Sequence, residues 1–211
     1  MAAVVSLPEQ RMVLESISWD TYERLLIDSE NYPATRFTYD KGRLEIMVVS
    51  SEHEAIKDRI FLLVNIVAEV LEIDMESFGS TTFKRQASER GFEPDACFYI
   101  QHEAQVTAQR QLNLSVDPPP DLIIEIDFTS PSLGRFPIFA SFGIGEIWRY
   151  NDSCWTFFRL EAGEYVEIEE SSALPKVTSA ALTELIEASI TMKRTAWLKQ
   201  VRDYAQTLKT E

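Results

Sequence analysis

Cysteine is scarce in this chain: Cys97 and Cys154 are the only two, too few for a disulfide framework or a structural zinc site. A reducing cytoplasm fits that scarcity best. Long hydrophobic runs are missing as well. No stretch approaches the ~18 consecutive apolar residues of a membrane span, which argues against a membrane partner. The opening Met1–Val5 lacks the basic region and longer apolar stretch of a secretory signal. Positive charge is also short: 20 Lys and Arg stand against 34 Asp and Glu, a formal net charge of −14. That balance argues against broad, non-specific affinity for nucleic acid. An acidic protein can still bind a polyanion if its cations converge on one groove. Lys84-Arg85-Gln86-Ala87-Ser88-Glu89-Arg90 is the densest such run, with Arg110 and Arg135 as further contributors, although short basic runs are also ordinary solvated surface.

What remains is ordinary in bulk. The 211 residues, 45% hydrophobic and 26% charged, fit one domain with a substantial core and peripheral helices. The informative part is local. In Asp121-Leu122-Ile123-Ile124-Glu125-Ile126-Asp127-Phe128, strand alternation sends Leu122, Ile124, Ile126 and Phe128 to one face and Glu125 and Asp127 to the other. Thirty residues earlier, Asp95 follows Pro94 at the head of Ala96-Cys97-Phe98-Tyr99-Ile100. If the two strands are neighbours, three carboxylates meet. Such a cluster is unfavourable unless protons or a hard divalent cation neutralise it, and it points to metal-dependent cleavage of phosphodiesters.

Periodicity outlines the rest. Ser18 can cap a helix over Trp19–Asp28 that ends near Asn31 and Pro33. Arg36–Tyr39 and Arg43–Val49 read as strands joined at Asp40-Lys41-Gly42. His53, Ile56, Ile60, Leu63, Val67 and Val70 recur at helical spacing over Glu52–Glu72, with Ser50 or Ser51 as cap. Two strands, Glu76–Gln86 and Phe92–Ile100, should turn at Ser88–Gly91. A polar stretch to Val116 and the stiff Pro118-Pro119-Pro120 lead into the acidic strand. A helix is expected over Pro131–Phe142, distorted by Pro137, then strands at Glu146–Tyr150, Trp155–Leu160 and Tyr165–Ile168. Helices at about Thr178–Ala188 and Thr191–Lys209 close the chain. The pattern predicts a mixed α/β domain, one central sheet flanked by helices, with a helix, three strands, a helix and a strand as its core.

With these blocks in register, the chain resembles the Uma-two family of the PD-(D/E)xK, restriction-endonuclease-like superfamily. The matching pieces are Gly42–Met47, Glu52-His53, Gly79–Phe83, Gly91–Asp95, Pro120–Ile126, Ser130-Pro131-Ser132 and Gly143–Trp148, together spanning roughly residues 36–151. The resemblance implies an αβββαβ core within a single domain over residues 1–211, with an N-terminal hairpin and C-terminal strands and helices after about residue 152. It carries over Asp95 and Glu125 as metal ligands, with Asp127 beside them, for magnesium or, in its place, manganese. The superfamily's lysine would fall two residues beyond Glu125, where this chain has Asp127. Relatives that place the lysine on the next helix align it with Arg135, counting back from Gly143. Arginine can hold a phosphate but cannot act as a general base.

Lys84 is a second candidate cation. His53 lies on the apolar face of the long helix, where a hydrogen-bonded core role competes with a site role. Glu45 and Glu93 are further acidic candidates, each with a structural alternative, while Trp148 and Tyr150 are expected to pack the sheet. The leading functional expectation is a magnesium-dependent nuclease acting on DNA. Its alternatives are a catalytically impaired fold that binds nucleic acid or protein, and hydrolysis of another phosphate-containing substrate. Arg135 is expected to clamp the phosphate. The last helix, with Trp197, Val201, Tyr204 and Leu208 on one side, is expected to support a homodimer.

Overall fold

The computed structural model describes residues 10–32, 34–109, 111–113, 116–128, 134–151 and 154–210. Arg110, Pro33 and the Ser130-Pro131-Ser132 block fall outside them. The strands form two sheets where the sequence pattern suggests one.

The mixed sheet contains β4 (Glu76–Gly79), β7 (Ala96–Tyr99), β8 (Leu122–Ile126), β9 (Glu146–Tyr150), β10 (Trp155–Glu161) and β11 (Glu164–Ile168), in the order β11-β10-β9-β8-β7-β4. Only β8 and β9 run parallel, because their connection passes over the sheet through α4 (Phe136–Phe142). One face is covered by α2 (Ser51–Leu71), α5 (Ser179–Thr191) and α6 (Arg194–Thr210), where Ile60, Leu63, Val67, Ile124, Ile126 and Trp148 form the main core. The other face, with Ile123 and Ile147, packs on Ile138, Phe139 and Phe142 of α4. The expected α-βββ-α-β succession is therefore present in this sheet: α2, β4, β7, β8, α4, β9.

The second sheet is antiparallel throughout, in the order β1-β3-β2-β6-β5. It joins β1 (Gln10–Leu14), β2 (Thr35–Asp40), β3 (Arg43–Val48), β5 (Phe83–Arg85) and β6 (Arg90–Phe92). On it sits α1 (Trp19–Asp28), whose Trp19 and Tyr22 pack on Phe37, Tyr39 and Leu44. Ser18 caps α1 by accepting from the Thr21 N–H at 3.2 Å. Ser50, rather than Ser51, caps α2 by accepting from the His53 N–H at 3.1 Å.

The two long strands expected over 76–100 each break and change sheet. β4 and β7 belong to the mixed sheet, while β5 and β6 belong to the antiparallel one. The first break follows a register shift at Ser77/Gly79, where Gly79 takes φ +59°. The second falls at Glu93-Pro94-Asp95, where proline offers no N–H to continue a ladder. Asp95 thus stands where the chain crosses between sheets.

Two other expectations are corrected. Within the described residues α4 begins at Phe136, and Pro137 lies in its first turn, where a missing N–H costs nothing and the helix needs no distortion. The apolar stripe of α6 faces inward: Trp197, Val201, Ala205 and Leu208 are buried in the main core against α2, and the Trp197 Nε1–H donates to Leu185 O at 2.7 Å. Of the expected stripe, Trp197, Val201 and Leu208 are consumed within the chain and Tyr204 packs half-buried against the same core, so the stripe by itself no longer argues for a dimer. A short helix, α3 (Glu103–Val106), occupies part of the polar stretch. No described helix is long and apolar enough to cross a membrane.

Candidate active site

The acidic residues collect at the junction of the two sheets. β8 is buried along its whole length, and its alternation separates Ile124 and Ile126, in the main core, from Glu125 on the α4 side. Asp127 follows the strand, tied by its N–H to Tyr150 O at 2.8 Å. Asp95 is placed from two directions. Its N–H donates to Ile124 O at 3.1 Å, and its Oδ2 accepts from the Ile126 N–H at 2.7 Å. From β3, Glu45 adds a fourth carboxylate, 1% exposed.

Two guanidiniums join these carboxylates across the junction. Arg11 on β1 donates to Asp127 Oδ1 at 2.7 Å and to Glu45 Oε1 at 3.2 Å. Arg135, just ahead of α4, donates to Glu45 Oε1 at 2.8 Å and to Glu125 Oε2. His53 Nε2 lies 3.2 Å from Asp95 Oδ1. Since Ser50 sets the start of α2, it also sets the position of this imidazole, which is wholly buried.

Four buried carboxylates share this junction with two guanidiniums and the His53 imidazole. Burial pushes the Glu125 carboxyl up to about 8; Arg135 works against that rise, and Asp95 and Asp127 add to it. Burial also raises Asp127, outweighing Arg135 and Arg11. Asp95 moves the other way. Burial would raise it, but the His53 contact, the Ile126 N–H and Arg135 together hold it below the usual carboxylate range. Burial would lower Arg135, but Glu125, Asp127 and Glu45 keep it firmly protonated.

Glu125 has one oxygen to spare. Its Oε1 is buried without a hydrogen-bond partner among the described residues. Glu146, an equally buried carboxylate in the same sheet, shows the usual state: it accepts from Trp148 Nε1, Ser171 Oγ and the N–H groups of Ser172 and Ala173. A cavity of about 270 Å³ opens over Glu125 and Asp127, bounded by Arg135, Phe136, Phe139 and Arg149.

Asp95, Glu125, Asp127, Arg135 and His53 are therefore brought together, as is Glu45. Lys84 is not. It pairs with Glu23 at 2.7 Å and lines a separate groove with Glu93, whose carboxylate accepts from Thr82 Oγ1 and the Phe37 N–H. The expected phosphate clamp is also revised, since Arg135 bridges two carboxylates and braces the junction. Among the described residues no three His, Cys, Asp or Glu side chains form a ready ion cage; Asp127, expected as a third ligand, has Oδ1 engaged by Arg11. Arg11 and Arg149 escaped the sequence reading. The alternation of Arg11 and Val13 against exposed Met12 is the signal that marks Arg11 as inward-facing.

The family model Uma2, described as "Putative restriction endonuclease", matches residues 19–193. Among solved structures, a "putative nuclease belonging to DUF820" from Anabaena variabilis is 15% identical, with 80% of this chain and 90% of that chain covered and a TM-score of 0.42. No curated protein matches the chain.

Proposed function

Because the chain belongs to the Uma2 family of restriction-endonuclease-like proteins, we propose that it hydrolyses DNA phosphodiester bonds with a magnesium ion held by Asp95 and Glu125. The observation that carries this reading is the buried, unpartnered Oε1 of Glu125, a residue that stands beside Asp95 and lines a cavity. Two carboxylates suit magnesium, which keeps several waters and takes further oxygens from phosphate rather than demanding an all-protein cage. Once bound there, such an ion would supply Lewis-acid stabilisation of phosphoryl charge and lower the pKa of a water. The protein's own residues hold and orient: Arg135 fixes Glu125 through Oε2, Arg11 fixes Asp127, and His53 and the Ile126 N–H fix Asp95.

Arg135 supports a second reading as well. With that guanidinium given to carboxylates and Lys84 elsewhere, no lysine among the described residues stands at the site to act as a base, which favours a protein that binds DNA without cutting it. Incubation of supercoiled, linear and single-stranded DNA with magnesium or manganese separates the two: strand scission supports the nuclease, and ion-dependent binding without scission supports the binding module.

Proton linkage gives an independent check on the ion. Glu125 titrates near 8 when folded, against an ordinary 4.5. Between those values the folded protein holds a proton that the unfolded chain releases, so stability is full at the acid end and declines as pH rises toward 8. Asp127, raised in the same direction, adds to that decline. In chelator the melting temperature should therefore fall from about pH 5 to about pH 8, and magnesium should restore more of it at the alkaline end. Identical melting curves with magnesium and with chelator near pH 8 would remove the ion from Asp95 and Glu125.

A further inference from the structure

We infer that Arg149 is a phosphate-binding residue of this site, gripping the DNA backbone beside the bond that Asp95 and Glu125 address. The identity of the polymer rests on the nuclease reading above; the phosphate contact rests on Arg149 itself. Arg149 stands opposite Glu125 across the parallel β8–β9 ladder, so both side chains leave the sheet on one face. It lines the same cavity as Glu125 and Asp127. Its guanidinium carbon lies 5.5 Å from the Phe136 ring centroid and 5.1 Å from that of Phe158. Cation–π contact with aromatic rings holds a guanidinium in place while its N–H edges stay available.

Those edges are unused. Arg149 Nε is buried with no hydrogen-bond partner among the described residues, and the side chain makes no ion pair there either. Arg11 and Arg135, by contrast, are both bonded to carboxylates in the same cluster. A buried donor left unmade is costly. An anion entering the cavity would complete it, and the forked N–H edge of a guanidinium suits paired acceptor oxygens such as those of a phosphodiester. A carboxylate ligand is the poorer match, since Arg149 makes no ion pair with the neighbouring Glu125 or Asp127, which are bonded to Arg135 and Arg11 instead.

The test compares wild type with Arg149→Met, which keeps much of the side-chain volume against the rings, and Arg149→Lys, which keeps the charge. Binding of a short fluorescein-labelled DNA duplex is read by anisotropy in calcium, across a series of potassium chloride concentrations, with melting curves for each protein. Arg149→Met should raise Kd about tenfold and flatten the log Kd–log salt slope by about 0.9, the value for one lost phosphate contact. Arg149→Lys should keep the slope and recover part of the affinity. Should Arg149→Met fail to melt cooperatively, Arg149→Gln takes its place with the same expectation. Equal Kd and slope in wild type and the neutral variant would overturn the inference, as would a wild type that binds no DNA, or a lysine variant as weak and as flat as the neutral one. If Arg149→Met weakens binding while wild type cuts nothing in magnesium or manganese, the phosphate contact stands and the nuclease reading falls.

Discussion

Asp95→Asn is expected to lower magnesium-dependent DNA cleavage by about 10²–10³-fold, the scale associated with removing one group that stabilises developing charge, while leaving the fold intact. Asparagine matches aspartate in shape, and its amide oxygen can still accept from the Ile126 N–H, which bonds Asp95 at 2.7 Å. What disappears is the negative charge, which both the ion and His53, 3.2 Å away, respond to. Two measurements separate this from general damage. Melting in chelator should stay cooperative, with at most a modest drop from losing a carboxylate that the fold holds charged, and the magnesium-dependent rise in melting temperature should vanish. Cleavage by Asp95→Asn at the wild-type rate would sink the assignment.

That Glu125 and Asp127 share one face was legible in the sequence because it rests on local rules, whereas the meeting with Asp95 depended on the two strands being neighbours, as they are. Alternation sorts Leu122–Phe128 into two faces whatever the tertiary structure, and the start of α2 follows from Ser50 and the apolar spacing behind it. The second sheet was not legible. Residues 76–86 and 92–100 keep strand-like composition through both breaks, and pairing partners are chosen by long-range packing that no short window contains. The same limit hid Arg11. Its two partners lie 34 and 116 residues away, so no motif links them. Arg149 was obscured differently, sitting in the aromatic run of Trp148 and Tyr150, where packing was the reasonable expectation. The bridge made by Arg135 was hidden for a related reason: counting from Gly143 located the residue, but only the fold reveals that Glu45 arrives from the other sheet to bind it.

The second large effect follows from that bridge. Arg135→Met should destabilise the protein by about 3–5 kcal/mol, because removing one partner of a buried pair strands the other's charge. For a chain of this length that corresponds to a fall in melting temperature of roughly 6–20 °C. Glu125 and Glu45 would both lose a donor, with side chains only 3% and 1% exposed. The penalty should shrink as pH falls, since protonating the stranded carboxyls removes the charge that has to be buried. Arg135→Lys should lie between wild type and Arg135→Met, because a single ammonium lacks the rigid fork that spans two carboxylates. Urea unfolding at about pH 5 and about pH 8 measures all three proteins. A methionine variant as stable as wild type at both would show that the bridge contributes nothing to folding.

The junction between the sheets gives these charges a mechanical meaning. Arg11 and Glu45 ride on the antiparallel sheet, Glu125 and Asp127 on the mixed one, and Asp95 on the segment that passes between them. Sliding one sheet against the other would stretch ion pairs and displace carboxylates in the same movement. The layers are thus clasped by groups at the cavity's edge, and a packing change far out on either sheet would register as a change in the distance of Arg11 from Asp127 and of Glu45 from Arg135.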